Sequence, residues 1–360
     1  MNTDISGFKV SPDGQRCDDQ TIDPGKFEPA RPAKEGEIPL IDVSCLAKKD
    51  KQAMRATADQ IRTACERIGF FYIVNHGVPE QVIEGVFRES RRFFDQPASF
   101  KQRLLFNEIN RGYKAPGNIA IPGYLPDLKE VLDLGVDLPA DHPDVVSGKP
   151  LHGPNQWPPL PGFRETLMTY YQEASKVGYE MLRLFALALD LDEQFFLPSH
   201  DNAMITWRIM RYFAEHNTAG QYGTAPHTDF GTITLLAQGN QGGLEVYSRE
   251  KEWIRAPHIS GSLVVNIGDL MACWTNDRFT STAHRVLNQS GQDRYSIPMF
   301  YNPAFDTVAE CLPTCCDESN PPRYEPIHYG DYVTQIYGRI FSRNSKTVSA
   351  NSVSNSVSEH

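Results

Sequence analysis

Pro226-His-Thr-Asp-Phe-Gly-Thr-Ile-Thr-Leu-Leu236, written PHTDFGTITLL, is the stretch on which the reading of this 360-residue chain turns. Its second half, continuing to Gln238, has the apolar β-type composition of a short strand bounded by turn signals. Its first half places His227 and Asp229 two residues apart. In an extended strand such a pair faces the same side, so an imidazole and a carboxylate can converge on one metal ion. An HxD pair alone is weak evidence, because a His–Asp hydrogen bond within a strand looks the same.

A third candidate ligand, His284, stands in STAHRVL (281–287), which also reads as a strand. Two histidines and one carboxylate form the facial triad of non-haem Fe(II) sites, which leaves coordination positions open for other ligands. A zinc hydrolase uses the same three ligand types. Ten residues beyond His284, Arg294-Tyr295-Ser296 offers a second i, i+2 pair. A guanidinium fork beside a hydroxyl suits a terminal carboxylate, bidentate and charge-assisted. Arg294 could instead form a plain surface ion pair. The two signals agree, however, and their agreement favours a metal site with an acidic co-ligand.

Working outward, the chain after Ala203 consists of short β-type runs at intervals that suit a sandwich or jelly roll: ITWRIMRYF, GTITLLAQ, GLEVYS, EWIRAP, SLVVNIGD, RFTSTAHRVL and RYSIPMFYNP. Before it, apolar residues at helical spacing predict helices from Lys51 to Ile68, Pro79 to Phe94 and Pro161 to Leu189. The continuous apolar run GFFYIVNHGV (69–78) predicts a buried strand. Residues 107–159 are rich in Gly and Pro, with only EVLDLGVDL resembling a strand; long irregular segments inside compact domains are commonly functional. YGDYVTQIYGRIF (329–341) reads as a closing helix. The expected organisation is an extended arm over 1–36, a single catalytic domain over 37–341 and a disordered tail over 342–360. Within the domain, a helical and strand region spans 37–190 and a β core spans 203–310.

Composition sets the outer limits. Lys and Arg number 35 against 45 Asp and Glu, a net charge of −10, which argues against capture of nucleic acid or anionic lipid. No secretory signal or transmembrane run is evident, so the expectation is a cytoplasmic protein, monomeric or weakly homo-oligomeric, that meets a small molecule. Seven cysteines, an odd number, are expected to be reduced thiols. Cys311, Cys315 and Cys316 have no zinc-finger spacing and read as incidental loop thiols. His76 is expected to be a structural turn residue, and His216 and His258 to face solvent from loops. Asn266 and Asp269 are expected to shape a turn.

Taken in order, HTDFGTITLL, VVNIGD (264–269), HRV within STAHRV and RYSIPMFYNP (294–303) resemble the iron- and 2-oxoglutarate-dependent dioxygenases of the isopenicillin N synthase-like superfamily. IPLID, GFFYIVNHGV and FFDQP resemble that family's N-terminal region. The resemblance implies a mainly β fold with α additions, a double-stranded β-helix (jelly-roll) core with an N-terminal helical jacket. It also implies that His227, Asp229 and His284 bind Fe(II), that Arg294 and Ser296 hold the distal carboxylate of 2-oxoglutarate, and that O2 is the second cosubstrate, with succinate and CO2 released. Tyr212 in WRIMRYF is expected to touch the cosubstrate. Met210 stands where plant members often carry Asn, a departure from the plant-type pattern. A looser similarity to fungal thymine hydroxylases lies in RGYKAPG (111–117) and around Lys129, Glu130 and Asp133. Arg111, Tyr113, Arg208, Trp274 and Phe300 are the candidate substrate contacts, for a small or medium aromatic or carboxylated metabolite. An iron oxidase of the isopenicillin N synthase type, which needs no 2-oxoglutarate, and a non-catalytic metal-binding jelly roll are the alternatives.

Overall fold

The computed structural model describes residues 22–23, 26–119, 121, 123–214 and 220–339. The expected 342–360 tail, most of the 1–36 arm, Cys17 and His216 lie outside them. The apolar run at 70–74 forms the strand Phe70–Val74, which pairs parallel with Leu40–Asp42 and antiparallel with Leu263–Ile267. With both edges paired and both faces covered, such a strand tolerates no alternation of polar residues.

That strand belongs to an eight-stranded sheet. Its order is Leu40–Asp42, Phe70–Val74, Leu263–Ile267, Ile233–Gln238, Arg294–Tyr301, Thr206–Tyr212, Lys129–Gly135 and Gly112–Lys114. A five-stranded sheet runs Arg31–Pro32, Trp253–Arg255, Leu244–Tyr247, His284–Val286 and Thr224–His227. Strands remote in sequence are neighbours in both sheets, the crossover pattern of a jelly roll.

The larger sheet is buried on both faces, and its two-residue side-chain period sorts the sequence between them. Trp207, Ile209, Leu235, Ile297 and Met299 join the main core with the helices Lys51–Arg67, Glu80–Phe94 and Phe163–Ala188. Arg208, Met210, Tyr212, Thr234, Leu236, Ser296, Pro298 and Phe300 face the opposite way, into a cavity whose other wall is the smaller sheet. The helical jacket thus stiffens the sheet that carries the cavity-facing residues. The first jacket helix is capped by Asp50, whose carboxylate accepts from the backbone N–H groups of Gln52 and Ala53 at 3.1 Å.

Three expectations need adjusting. The Gly- and Pro-rich segment contributes the strand Gly112–Lys114, paired with Lys129–Gly135, so it extends the sheet. After the strand in VVNIGD the chain turns into a short helix, Asp269–Trp274. RFTSTAHRVL is a strand only at His284–Val286, because Thr280 and Thr282 bond instead to the backbone of Cys65 and Ile68. The closing helix is present over 329–339, the end of the described residues. Among these residues no helix is long and apolar enough to cross a membrane.

Candidate active site

Thr224–His227 and His284–Val286 pair antiparallel with His227 directly opposite His284, which brings the two imidazole centroids to 4.2 Å. The strand ends at His227, so Asp229 does not share its face by simple alternation, as the spacing had suggested. It sits in the following turn, where its carbonyl accepts from the Asp269 N–H at 2.7 Å. Its carboxylate is aimed by Oδ2, which accepts from Thr234 Oγ1 at 2.6 Å and Asn266 Nδ2 at 2.8 Å. Oδ1 is left 3.7 Å from Nε2 of both His227 and His284.

Each imidazole is oriented from behind. Nδ1 of His227 lies 2.9 Å from the Ala225 carbonyl, and Nδ1 of His284 lies 3.1 Å from the Thr282 carbonyl. A carbonyl only accepts, so Nδ1 carries the proton and the lone pair of Nε2 points at Asp229, the arrangement that metal-ligating histidines adopt. Burial, reinforced by the neighbouring His284, holds the His227 imidazole well below its usual range. Burial alone would raise the Asp229 carboxyl, but the two imidazoles and the donors on Oδ2 hold it below the usual carboxylate range. Two imidazoles offering Nε2 and one carboxylate are ligand types a divalent cation takes. Donors 3.7 Å apart can both reach an ion about 2.1 Å from each, since twice that length exceeds their separation.

The Arg294–Tyr301 strand carries the second group. Its pairing places Arg294 opposite Tyr212 and Ser296 opposite Met210. The Arg294 guanidinium is 0% exposed; Nε donates to the Gly242 carbonyl and Nη2 to Gln238 Oε1 at 3.2 Å. Its carbon stands 4.8 Å from the centroid of the Tyr212 ring. Nη1 and the Ser296 hydroxyl are buried near the Tyr212 phenol and make no well-formed hydrogen bond among the described residues. Unsatisfied buried donors are rare because each forfeits its hydration without compensation, so a pair of them beside one another marks the seat of an acceptor. A carboxylate fits that seat. Burial would raise the Tyr212 phenol, but the Arg294 and Lys129 cations outweigh it and hold the phenol below its usual range.

Of the five candidate substrate contacts, Arg208 and Phe300 line the cavity. Arg111, Tyr113 and Trp274 do not. Arg111 is buried with its guanidinium on the carbonyls of Ile109, Asn110 and Leu151, tying down a loop. Tyr113 donates to Glu130 Oε2 at 2.6 Å, an atom that also receives Lys101 at 2.7 Å, on the helix side of the sheet. Trp274 lies in the core against Phe196 and His200, at centroid distances of 5.3 and 6.2 Å.

Asn266 is a further correction. It braces the Asp229 carboxylate and does not shape a turn. Lys129 is the cavity residue whose role the sequence left unassigned. Its ammonium lies 2.8 Å from Thr224 Oγ1 and 2.9 Å from Asp127 Oδ2. The alternation in KEVLDLG held that signal: Lys129, Val131 and Asp133 share one face and Glu130, Leu132 and Leu134 the other. His76 accepts from the Val78 N–H in its turn and His258 is exposed, both as expected. Cys311, Cys315 and Cys316 are free, and burial pushes the Cys311 thiol up to about 12. Among the described residues, His227, Asp229 and His284 form the one cluster of side chains that could hold a metal ion.

Two family models match the chain. Residues 38–160 match the N-terminal region of the non-haem dioxygenase in morphine synthesis, and residues 205–303 match the 2OG-Fe(II) oxygenase superfamily. The 2-oxoglutarate-Fe(II) type oxidoreductase hxnY of Emericella nidulans is 37% identical over 316 residues, covering 85% of this chain and 90% of its own. Kihadalactone A synthase LFS of Citrus sinensis is 36% identical, covering 84% and 94%. Among solved structures, a full-length Neurospora crassa protein in complex with alpha-KG and thymine superposes with a TM-score of 0.75 at 32% identity, covering 84% of this chain and 96% of that one.

Proposed function

Because the chain belongs to the 2-oxoglutarate- and Fe(II)-dependent oxygenases of the isopenicillin N synthase-like superfamily, we propose a role for each residue of its site. The protein is an oxidoreductase that uses Fe(II), 2-oxoglutarate and O2 to oxidise a small molecule. His227 Nε2, Asp229 Oδ1 and His284 Nε2 hold the iron. Arg294 Nη1 and the Ser296 hydroxyl donate to the distal carboxylate of 2-oxoglutarate, and Tyr212 flanks it. Bound there, iron and 2-oxo acid supply an oxidant strong enough to take hydrogen from a carbon atom.

The chain's own work is orientation and exclusion of water. Asn266 and Thr234 fix the carboxylate rotamer, the Ala225 and Thr282 carbonyls fix the imidazole tautomers, and Phe70, Leu236, Leu244 and Val286 keep the walls apolar. One observation carries this assignment: three converging donors that could hold a metal share one cavity with the unsatisfied Nη1 of Arg294 and the Ser296 hydroxyl.

The same reading takes 37–341 as one catalytic unit, because Lys129 of the 37–190 region pairs with Tyr212 of the β core and lines the cavity with it. It places the protein in the cytoplasm as a monomer or weak homo-oligomer, with no nucleic acid or membrane partner. Six free cysteines among the described residues accord with a reducing compartment. Steady-state measurement of succinate release tests the assignment. Arg294→Ala should raise the KM for 2-oxoglutarate by about 10- to 100-fold, the worth of a charge-assisted hydrogen-bonded contact, with little change in kcat. An unchanged KM would remove Arg294 from the site.

A further inference from the structure

The charged groups around the cavity do not cancel. Lys129, Arg208, Asp229 and Arg294 line it. Lys129 pairs with Asp127 at 2.9 Å, and Arg208 pairs through Nε with Asp133 at 2.9 Å. Asp133 is already engaged, since its other oxygen lies 2.8 Å from the Lys114 ammonium, itself buried. One carboxylate therefore serves two cations. The lining cations Lys129, Arg208 and Arg294 match the carboxylates Asp127, Asp133 and Asp229 three to three, and Lys114, the second cation on Asp133, brings the connected ion-pair network to four cations against three carboxylates. Fe(II) and dianionic 2-oxoglutarate add equal and opposite charge. One positive charge is left over.

That surplus has an address. The Arg208 carbon stands 5.1 Å from the centroid of the Phe300 ring, so one face of the guanidinium is covered. Nε is ion-paired with Asp133, and no described residue accepts a hydrogen bond from Nη1 or Nη2. What Arg208 still offers is the in-plane edge of a guanidinium fixed by an ion pair and an aromatic ring. Such an edge matches a carboxylate bidentately. A neutral body seated over it would displace water from both nitrogens and give no full acceptor in return, a penalty the acid does not incur. Phe70, Leu236, Leu244, Val286 and Pro298 supply apolar wall to the cavity.

Building on the iron and 2-oxoglutarate assignment above, we infer that the prime substrate is a monocarboxylate with an apolar or aromatic body, held by Arg208 against Phe300. The carboxylate supplies the missing negative charge, and the body lies along the apolar walls towards the metal donors.

The test uses full-length protein loaded anaerobically with Fe(II) and 2-oxoglutarate. The visible charge-transfer band of the chelate reports first whether the cofactor assignment stands. Benzoate, nicotinate and indole-3-acetate are then titrated against benzamide, nicotinamide, indole-3-acetamide and thymine, following the change in the band and the heat of binding. At least one acid should bind tenfold or more tightly than its amide and than thymine. Arg208→Gln should abolish that preference, weakening the acid at least tenfold relative to its amide. A missing band overturns the cofactor assignment and this inference with it. A normal band with no acid bound, with acid and amide bound equally, or with thymine preferred overturns the carboxylate alone. So does a preference that survives Arg208→Gln. The wild-type comparison of acid with amide decides the matter even if the variant fails to fold.

Discussion

At one end of the cavity each of the three candidate metal donors has its second polar atom tied to protein. His227 Nδ1 meets the Ala225 carbonyl, His284 Nδ1 meets the Thr282 carbonyl, and Asp229 Oδ2 receives Thr234 and Asn266. At the far end the pattern reverses: Arg294 is tied through Nε and Nη2, and what is left over is a donor, Nη1, beside the Ser296 hydroxyl. One end leaves lone pairs and the other leaves N–H and O–H groups. The first selects a cation and the second an anion, so a single cavity presents complementary seats for a metal ion and a carboxylate. Preorganisation explains why both can stand ready: each side chain is fixed by contacts that do not consume the atom it offers.

The contrast makes graded predictions. Asp229→Ala should be the most severe, since it removes the one charged metal ligand; iron content measured after anaerobic loading should fall to background, and turnover with it. Retained stoichiometric iron would break the cation side of the comparison. Asn266→Ala leaves all three donors but removes one of the two hydrogen bonds on Oδ2, and should weaken Fe(II) binding about 10- to 100-fold while the KM for 2-oxoglutarate at saturating iron stays the same. A change in that KM with iron affinity intact would show that Asn266 belongs to the anion end. Tyr212→Phe should be milder, raising the KM for 2-oxoglutarate less than tenfold, because one neutral hydroxyl contact is worth only about 1 kcal/mol. Trp274→Ala should touch neither end. It should cost about 3–5 kcal/mol in denaturant unfolding through a core cavity and leave both KM values unchanged. An altered substrate KM at full stability would return Trp274 to the pocket.

The legibility of the site in the sequence follows from where each residue sits. Arg294 and Ser296 lie on one uninterrupted strand, so their spacing fixed a common face. His227 and His284 lie on paired strands, and their chemistry marked them even though the pairing was not visible. Asp229 does stand beside the two histidines, but not through strand alternation, since it is the turn and the Thr234 and Asn266 bonds that aim it. Asn266 was misread because a lone polar residue in VVNIGD looks like a turn former, and its partner lies 37 positions away. Arg111, Tyr113 and Trp274 share another difficulty. Arg111 stands in an irregular segment and Tyr113 and Trp274 belong to very short elements, where no periodicity indicates which way a side chain will point. The jacket helices were legible within a residue or two, because amphipathic spacing over many turns leaves little choice of buried face.

The central claim is that this one cavity seats Fe(II) at His227, Asp229 and His284 and 2-oxoglutarate at Arg294 and Ser296. Anaerobic titration of the wild-type protein with Fe(II) followed by 2-oxoglutarate, recorded by visible absorption, tests it most directly. The account predicts no visible band with iron alone, a saturable charge-transfer band at one equivalent of iron once 2-oxoglutarate is added, no band in Asp229→Ala, and a band in Arg294→Ala only at far higher 2-oxoglutarate. A band of undiminished intensity in Asp229→Ala, or the same 2-oxoglutarate dependence in Arg294→Ala as in the wild type, would contradict it.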